Sequence, residues 1–162
     1  MDDRRIGIAE LREQQRENWP QAYRDCQPSI LRLLRSADDY LRAGSEQLGS
    51  HNLLPAEFDV LAALRRQPPP HCVSPTALCK ALLMSSGGLT KLLKRLETAG
   101  LIERPANPDD GRSQLVKLSP SGIRRAEQAM TTLCELQKQW LAPLADDQRQ
   151  QLSQLLDQLL AR

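Results

Sequence analysis

Apolar residues recur along most of this chain at every third or fourth position, a spacing that predicts helices. The first covers about residues 3 to 17, with Ile6, Ala9 and Leu11 as its thin apolar content. It stops before Trp19-Pro20, because the residue preceding a proline avoids helical geometry. A second helix begins at Ser29 and carries Ile30, Leu33, Leu34, Ala37, Leu41 and Leu48 to about residue 48. Gly49-Ser50-His51-Asn52 breaks it. A third opens at Pro55, a favoured first-turn residue, and buries Phe58, Leu61 and Leu64 before Gln67-Pro68-Pro69-Pro70 ends it.

Residues 71 to 73 read as one short strand. Ser74-Pro75 then caps a short helix. Ser85-Ser86-Gly87-Gly88 reads as a turn, and the helix after it sets Leu89, Leu92, Leu93 and Leu96 on one side. Thr90, Lys91, Lys94, Arg95 and Thr98 fall on its other faces, and Gly100 is placed as a C-terminal cap. Next come two short apolar strands, Leu101–Arg104 and Leu115–Leu118, around a polar tip that carries Asp110, Gly111 and Arg112. Ser119-Pro120 opens a long helix through Ile123, Ala126, Met130, Leu133, Leu136 and Trp140, which Pro143 stops. A last helix from Asp146 or Asp147 bears Leu152, Leu155, Leu156, Leu159 and Leu160.

Helix, turn, helix and hairpin in that order make a winged helix-turn-helix, so the fold class is mainly α with a small β wing. Residues 53–119 form this lobe, inside a single domain spanning 1–162. The segments 1–48 and 120–162 are left with apolar faces that either pack within the chain or associate across a two-fold axis. A homodimer is the expectation, since two-fold association is the commonest oligomeric solution.

Charge sharpens the picture. The net charge is only +2, but from Ser74 to Arg125 the cations Lys80, Lys91, Lys94, Arg95, Arg104, Arg112, Lys117, Arg124 and Arg125 face only Glu97, Glu103, Asp109 and Asp110. A local basic stretch suits a phosphate backbone, whose binding displaces counterions. Lys91, Lys94 and Arg95 reach phosphates or base edges from one helix. Ser74, Ser85, Ser86, Gly87, Gly88 and Thr90 lie near helix starts, where free amides favour anions. Arg112, at the wing tip, reaches an adjacent minor groove. Double-stranded DNA is the partner these residues imply.

Other classes lose support. Hydrophobic residues make up 40% and charged residues 26%, a globular balance. No apolar run approaches the roughly 20 residues of a membrane span, and the polar N-terminus is not a signal peptide. Four cysteines without CxxC spacing and two histidines offer no metal cluster and no cofactor. They read as reduced thiols of a cytoplasmic protein. Nothing here assembles a catalytic site, so an enzyme is not expected.

Asp110-Gly111-Arg112 with Val116, Leu118, Ser119 and Gly122 resembles the D-x-R-x-x-x-V-x-L-[ST]-x-x-G wing signature of the MarR family of bacterial regulators. The preceding SSGGLTKLLKRLETAGLIER is similar to that family's recognition helix and first wing strand. The resemblance implies an obligate homodimer on a pseudo-palindromic operator, usually repressing, and released by a small molecule or by thiol oxidation. It also implies that Arg112 reads or clamps DNA while Asp110 orients it.

Within the family, RENWP, SILRLL and EFDVLAALRR look most like a urate-responsive branch, whose effector residues correspond here to Trp19, Asp59 and Arg104. That branch has Asn-Arg where this chain has Lys91-Leu92. The exchange removes an inward cation, so a more lipophilic phenolic or aromatic acid fits better than urate. The plainer alternatives are a solvated or salt-bridged Asp59, a Trp19 that anchors the N-terminal helix, an Arg104 paired with a neighbouring acid, and an exposed loop residue at His51. Two other functional readings stay open. One is a thiol-oxidation switch, for which Cys26 and Cys72 are better placed than Cys79; the other is a winged-helix module for protein contacts alone.

Overall fold

The computed structural model describes residues 5–108 and 110–161, and for Gly111 and Arg112 the backbone alone. Among them the helices are α1 (Ile8–Asn18), α2 (Pro20–Asp25), α3 (Pro28–Ser50), α4 (Pro55–Arg65), α5 (Pro75–Leu82), α6 (Ser86–Thr98), α7 (Pro120–Leu141) and α8 (Asp146–Leu160). The strands are β1 (Cys72–Val73), β2 (Ile102–Glu103), β3 (Ala106–Asn107), β4 (Asp110–Gln114) and β5 (Val116–Leu118). The chain divides into two compact units between Arg42 and Ala43, inside α3.

In the first unit, α2 was not anticipated, since six mostly polar residues show no apolar period. It is tied to α1 through Arg12, whose guanidinium lies 4.2 Å from the Tyr23 ring centre and donates to the Tyr23 carbonyl at 2.8 Å. Arg5 pairs with Asp39 at 3.1 Å, and Arg35 donates to the Ile6 carbonyl at 3.0 Å. Polar contacts of this kind hold the N-terminal segment. α1 buries none of its residues.

The second unit holds the core. α4 is buried on nearly every side, through Phe58, Val60, Leu61, Ala62, Ala63 and Leu64. Around it pack Leu78 of α5, Leu89, Leu93 and Leu96 of α6, and Val116 and Leu118 of β5. The predicted stripes on α4 and α6 are therefore core faces, with Leu92 only partly buried at the edge. α3 runs through Gly49 to Ser50, two residues into the expected break. The turn that follows closes at Asn52, whose φ of 54° puts it in the left-handed position that closes a helix. The Leu53 N–H bonds back to the Leu48 carbonyl and the Asn52 N–H to that of Gly49.

Ser85–Gly88 is a helix start rather than the expected turn. Ser85 is the N-cap, its hydroxyl accepting from the Gly88 N–H at 3.2 Å, and α6 begins at Ser86. Glycine in a first helical turn is tolerated once a cap fixes the entry. The other end of α6 closes on Gly100 in the left-handed region, φ 68°, with the Leu101 N–H bonded to the Leu96 carbonyl.

β5 is the central strand of a three-stranded antiparallel sheet, with Val73 opposite Val116 on one side and Ile102 opposite Leu118 on the other. β3 and β4 form a separate antiparallel ribbon with a register shift at Ala106/Asn107. Immediately after β5, Ser119 caps α7 by accepting from the Gly122 N–H at 2.9 Å, while its hydroxyl donates to the Gly100 carbonyl at 2.7 Å. A Cβ on Gly122 would stand 1.9 Å from the Leu101 carbonyl oxygen. The glycine of the signature thus has a steric reason, because α7 starts against the backbone that leaves α6.

Candidate nucleic-acid interface

The exposed side of α6 is built by subtraction. Leu89, Leu93 and Leu96 are buried, so the helical period turns Lys91, Lys94, Arg95 and Thr98 outward. With Ala99 these four line one open surface depression. Lys91 and Lys94 are exposed, as are Ser86, Gly87, Gly88 and Thr90 at the helix start. Nothing stands within 4 Å of where a Gly87 Cβ would be, whereas one on Gly88 would meet the Ser85 hydroxyl at 3.2 Å. The Thr90 hydroxyl donates to the Ser86 carbonyl at 2.8 Å, which leaves its methyl group as the outward part.

Ser74 is the N-cap of α5, accepting from the Ala77 N–H at 3.2 Å. α5 closes on Leu83, a left-handed residue with φ 52° that is 95% exposed in the turn before α6. On the wing, the Ser113 hydroxyl donates to the Asp110 carbonyl at 3.1 Å and accepts from the Asn107 amide at 3.0 Å. The Arg112 side chain lies outside the described residues, and with it the orienting role expected of Asp110.

Sequence reasoning missed Glu57. This carboxylate is 4% exposed. Its Oε2 accepts the Leu54 N–H at 2.9 Å and its Oε1 lies 2.8 Å from the Arg95 Nε. The signal was present, since Pro at the first turn and Glu at the third helical position mark a helix start. The link to Arg95 was not readable, because it joins two different helices. His51 was also misjudged. Its Nε2 is 2.8 Å from the Thr132 hydroxyl, and Arg125 donates to its carbonyl, so the loop is tied to α7.

The three effector candidates fall in different units. Trp19 belongs to the first unit, is 64% exposed, and lines a depression with Leu11, Gln14, Gln15, Asn18 and Leu31. It is not a core anchor there. Asp59 and Arg104 belong to the second unit, and no hydrogen bond or ion pair joins them among the described residues. Arg104 donates through Nε to the Leu115 carbonyl at 3.1 Å, a clasp across the wing base rather than an acid pair. Desolvation raises the Asp59 carboxyl pKa above the ordinary aspartate value, with the nearby Arg66 charge opposing it. Arg66, with Arg65, Ala62, Ala126, Glu127, Met130 and Thr131, lines a groove of about 350 Å³ between α4 and α7. Burial likewise raises the Cys72 thiol, against the charge of Lys117.

A family model described as MarR family matches residues 51–113. The chain is 31% identical over 115 residues to the HTH-type transcriptional regulator PecS of Dickeya dadantii, covering 71% of this chain and 69% of PecS. The chain belongs to the MarR family. The multiple antibiotic resistance protein MarR of Escherichia coli is 38% identical over 84 residues, 52% of this chain and 56% of that one. Among solved structures, a cysteine-to-serine mutant of Escherichia coli MarR complexed with operator DNA superposes with a TM-score of 0.69 at 31% identity. It covers 82% of this chain and 94% of that one. The mainly helical architecture with a small β wing is thus a MarR-family winged helix-turn-helix. PecS is named a regulator, not an enzyme, and no described helix is long and apolar enough to cross a membrane.

Proposed function

We propose that this MarR-family chain is a homodimeric, sequence-specific DNA-binding transcriptional regulator that represses from a pseudo-palindromic operator. The supporting observation is the outward face of α6, with its exposed lysines and a capped, glycine-bearing start open to solvent. A MarR structure with operator DNA over most of this chain's length agrees with it. Ser74, Ser85, Ser86, Gly87, Gly88, Thr90, Lys91, Lys94 and Arg95 are the proposed contacts, with Asp110 and Arg112 on the wing.

The whole chain works as one MarR-type domain in this reading, with residues 1–48 and 120–162 dimerising and 53–119 on DNA. α8 supports it within the second unit: none of its residues is buried, and Leu152, Leu155, Leu159 and Leu160 are exposed. An isolated helix that keeps a leucine face in water is poorly stable.

For the effector, the α4–α7 groove supports a small aromatic acid. Ala62, Ala126 and Met130 supply an apolar floor, and Arg66 a cation at its edge. A thiol switch has less support, because the Cys72 thiol is shifted away from the reactive thiolate.

The test is selection of bound fragments from the source genome by the purified protein, at a stated salt concentration. An enriched two-fold-symmetric site supports the reading, and Arg112→Ala then lowers affinity about tenfold with the dimer intact. No enrichment over random DNA overturns it in favour of a protein-contact module.

A further inference from the structure

Arg95 stands on the same outward surface as Lys91 and Lys94, yet its circumstances differ. Its Nε is 2.8 Å from Glu57 Oε1, and the two side chains are unequal, 61% exposed for the arginine and 5% for the glutamate. The second glutamate oxygen is held by the Leu54 N–H at 2.9 Å. The acid is therefore fixed from inside the lobe, with one oxygen closing the start of α4 and the other holding a surface arginine on α6.

Such a partner changes what an arginine does. An exposed arginine without one samples many rotamers and acts as a mobile cation for any phosphate. One held in an ion pair on its Nε side samples fewer rotamers and keeps its terminal nitrogens as a fork. That fork matches the paired acceptors on the major-groove edge of guanine. The glutamate charge also offsets that of Arg95, so this cation displaces less of the DNA counterion atmosphere than Lys91 or Lys94.

We propose that Glu57 is a positioning residue for sequence recognition: it sets Arg95 as a base-reading contact to guanine and restrains it from acting as a general phosphate clamp. The inference rests on the DNA-binding reading above and adds to it a residue away from the DNA face.

The experiment compares wild type, Glu57→Gln, Arg95→Lys and the double variant Glu57→Gln/Arg95→Gln in fragment selection and in salt titrations of random-DNA binding. Glutamine keeps an oxygen for the Leu54 N–H while removing the charge. Glu57→Gln is expected to bind random DNA more tightly, with a log–log salt slope steeper by about 0.9. Its operator-to-random affinity ratio is expected to fall about tenfold, through lost preference at one guanine. Arg95→Lys loses the same preference with the wild-type slope, since it keeps the charge without the fork. The double variant returns to the wild-type slope.

If Glu57→Gln keeps every base preference and the wild-type slope, Glu57 is a helix cap only and the proposal is overturned. The same holds if Arg95→Lys keeps the guanine preference, which decides the matter even where Glu57→Gln does not fold. A wild-type selection without any enriched site instead overturns the DNA-binding reading, and this inference with it.

Discussion

Two regions of the second unit are built on opposite terms. The lobe around α4 satisfies itself: Val60, Leu61, Leu64 and Val116 are fully out of water, and among the described residues no buried side-chain nitrogen or oxygen lacks a partner. α8 is fifteen residues long and buries none of them. α8 fits the dimer contact proposed above, since it keeps Leu155, Leu159 and Leu160 in water. In the homodimer proposed above, pairing two such heads on one pseudo-palindromic operator would make affinity depend on that helix.

The largest effect should come from removing the second region. Truncation before Asp147 is expected to give monomers or insoluble protein, measured by light scattering after gel filtration, with operator affinity down at least a hundredfold. A well-behaved dimer would show that the contact lies elsewhere. Next in size is damage to the first. Gly122→Ala pushes a methyl group into the Leu101 carbonyl and should cost about 3 kcal/mol in urea unfolding. A change under half that would mean the α7 start relaxes more easily than its geometry implies.

Gly87→Ala separates folding from binding. Its Cβ meets nothing, so the helix should gain about 0.5 kcal/mol, while DNA affinity falls if the backbone there approaches a phosphate. Gains in both would remove the glycine from the interface. The smallest effect is at Asp59, whose raised pKa means that the folded state holds its proton more tightly. The associated stability is present below the reference value of 3.8 and is lost as pH rises through the folded pKa. Asp59→Asn, a mimic of the protonated form, should therefore be slightly more stable at pH 7, by well under about 1 kcal/mol for an exposed group. That gain should vanish below pH 3.8; a constant difference across pH would point to packing instead.

Local periodicity made the lobe readable. The Leu89, Leu93, Leu96 stripe and the Phe58, Leu61, Leu64 stripe each encode a buried face, and Ser74 and Ser119 each announce a helix start. Ser85–Gly88 was misread because glycine is ordinarily a breaker, and only the hydrogen bond from the Gly88 N–H to Ser85 shows that the helix absorbs it. The α2 helix was missed for want of apolar residues. Glu57 and Arg95, or His51 and Thr132, meet only after the chain has folded back, and no pattern along one segment encodes such a meeting.

The wing has a base and a tip that do not share a sheet. Between them the Leu115 N–H bonds to the Pro105 carbonyl at 2.8 Å and Arg104 clasps the Leu115 carbonyl. Everything beyond that clasp hangs from a closed buckle rather than from the core. Substitutions at the described positions of the β3–β4 ribbon should therefore change what the wing touches more than how the lobe folds.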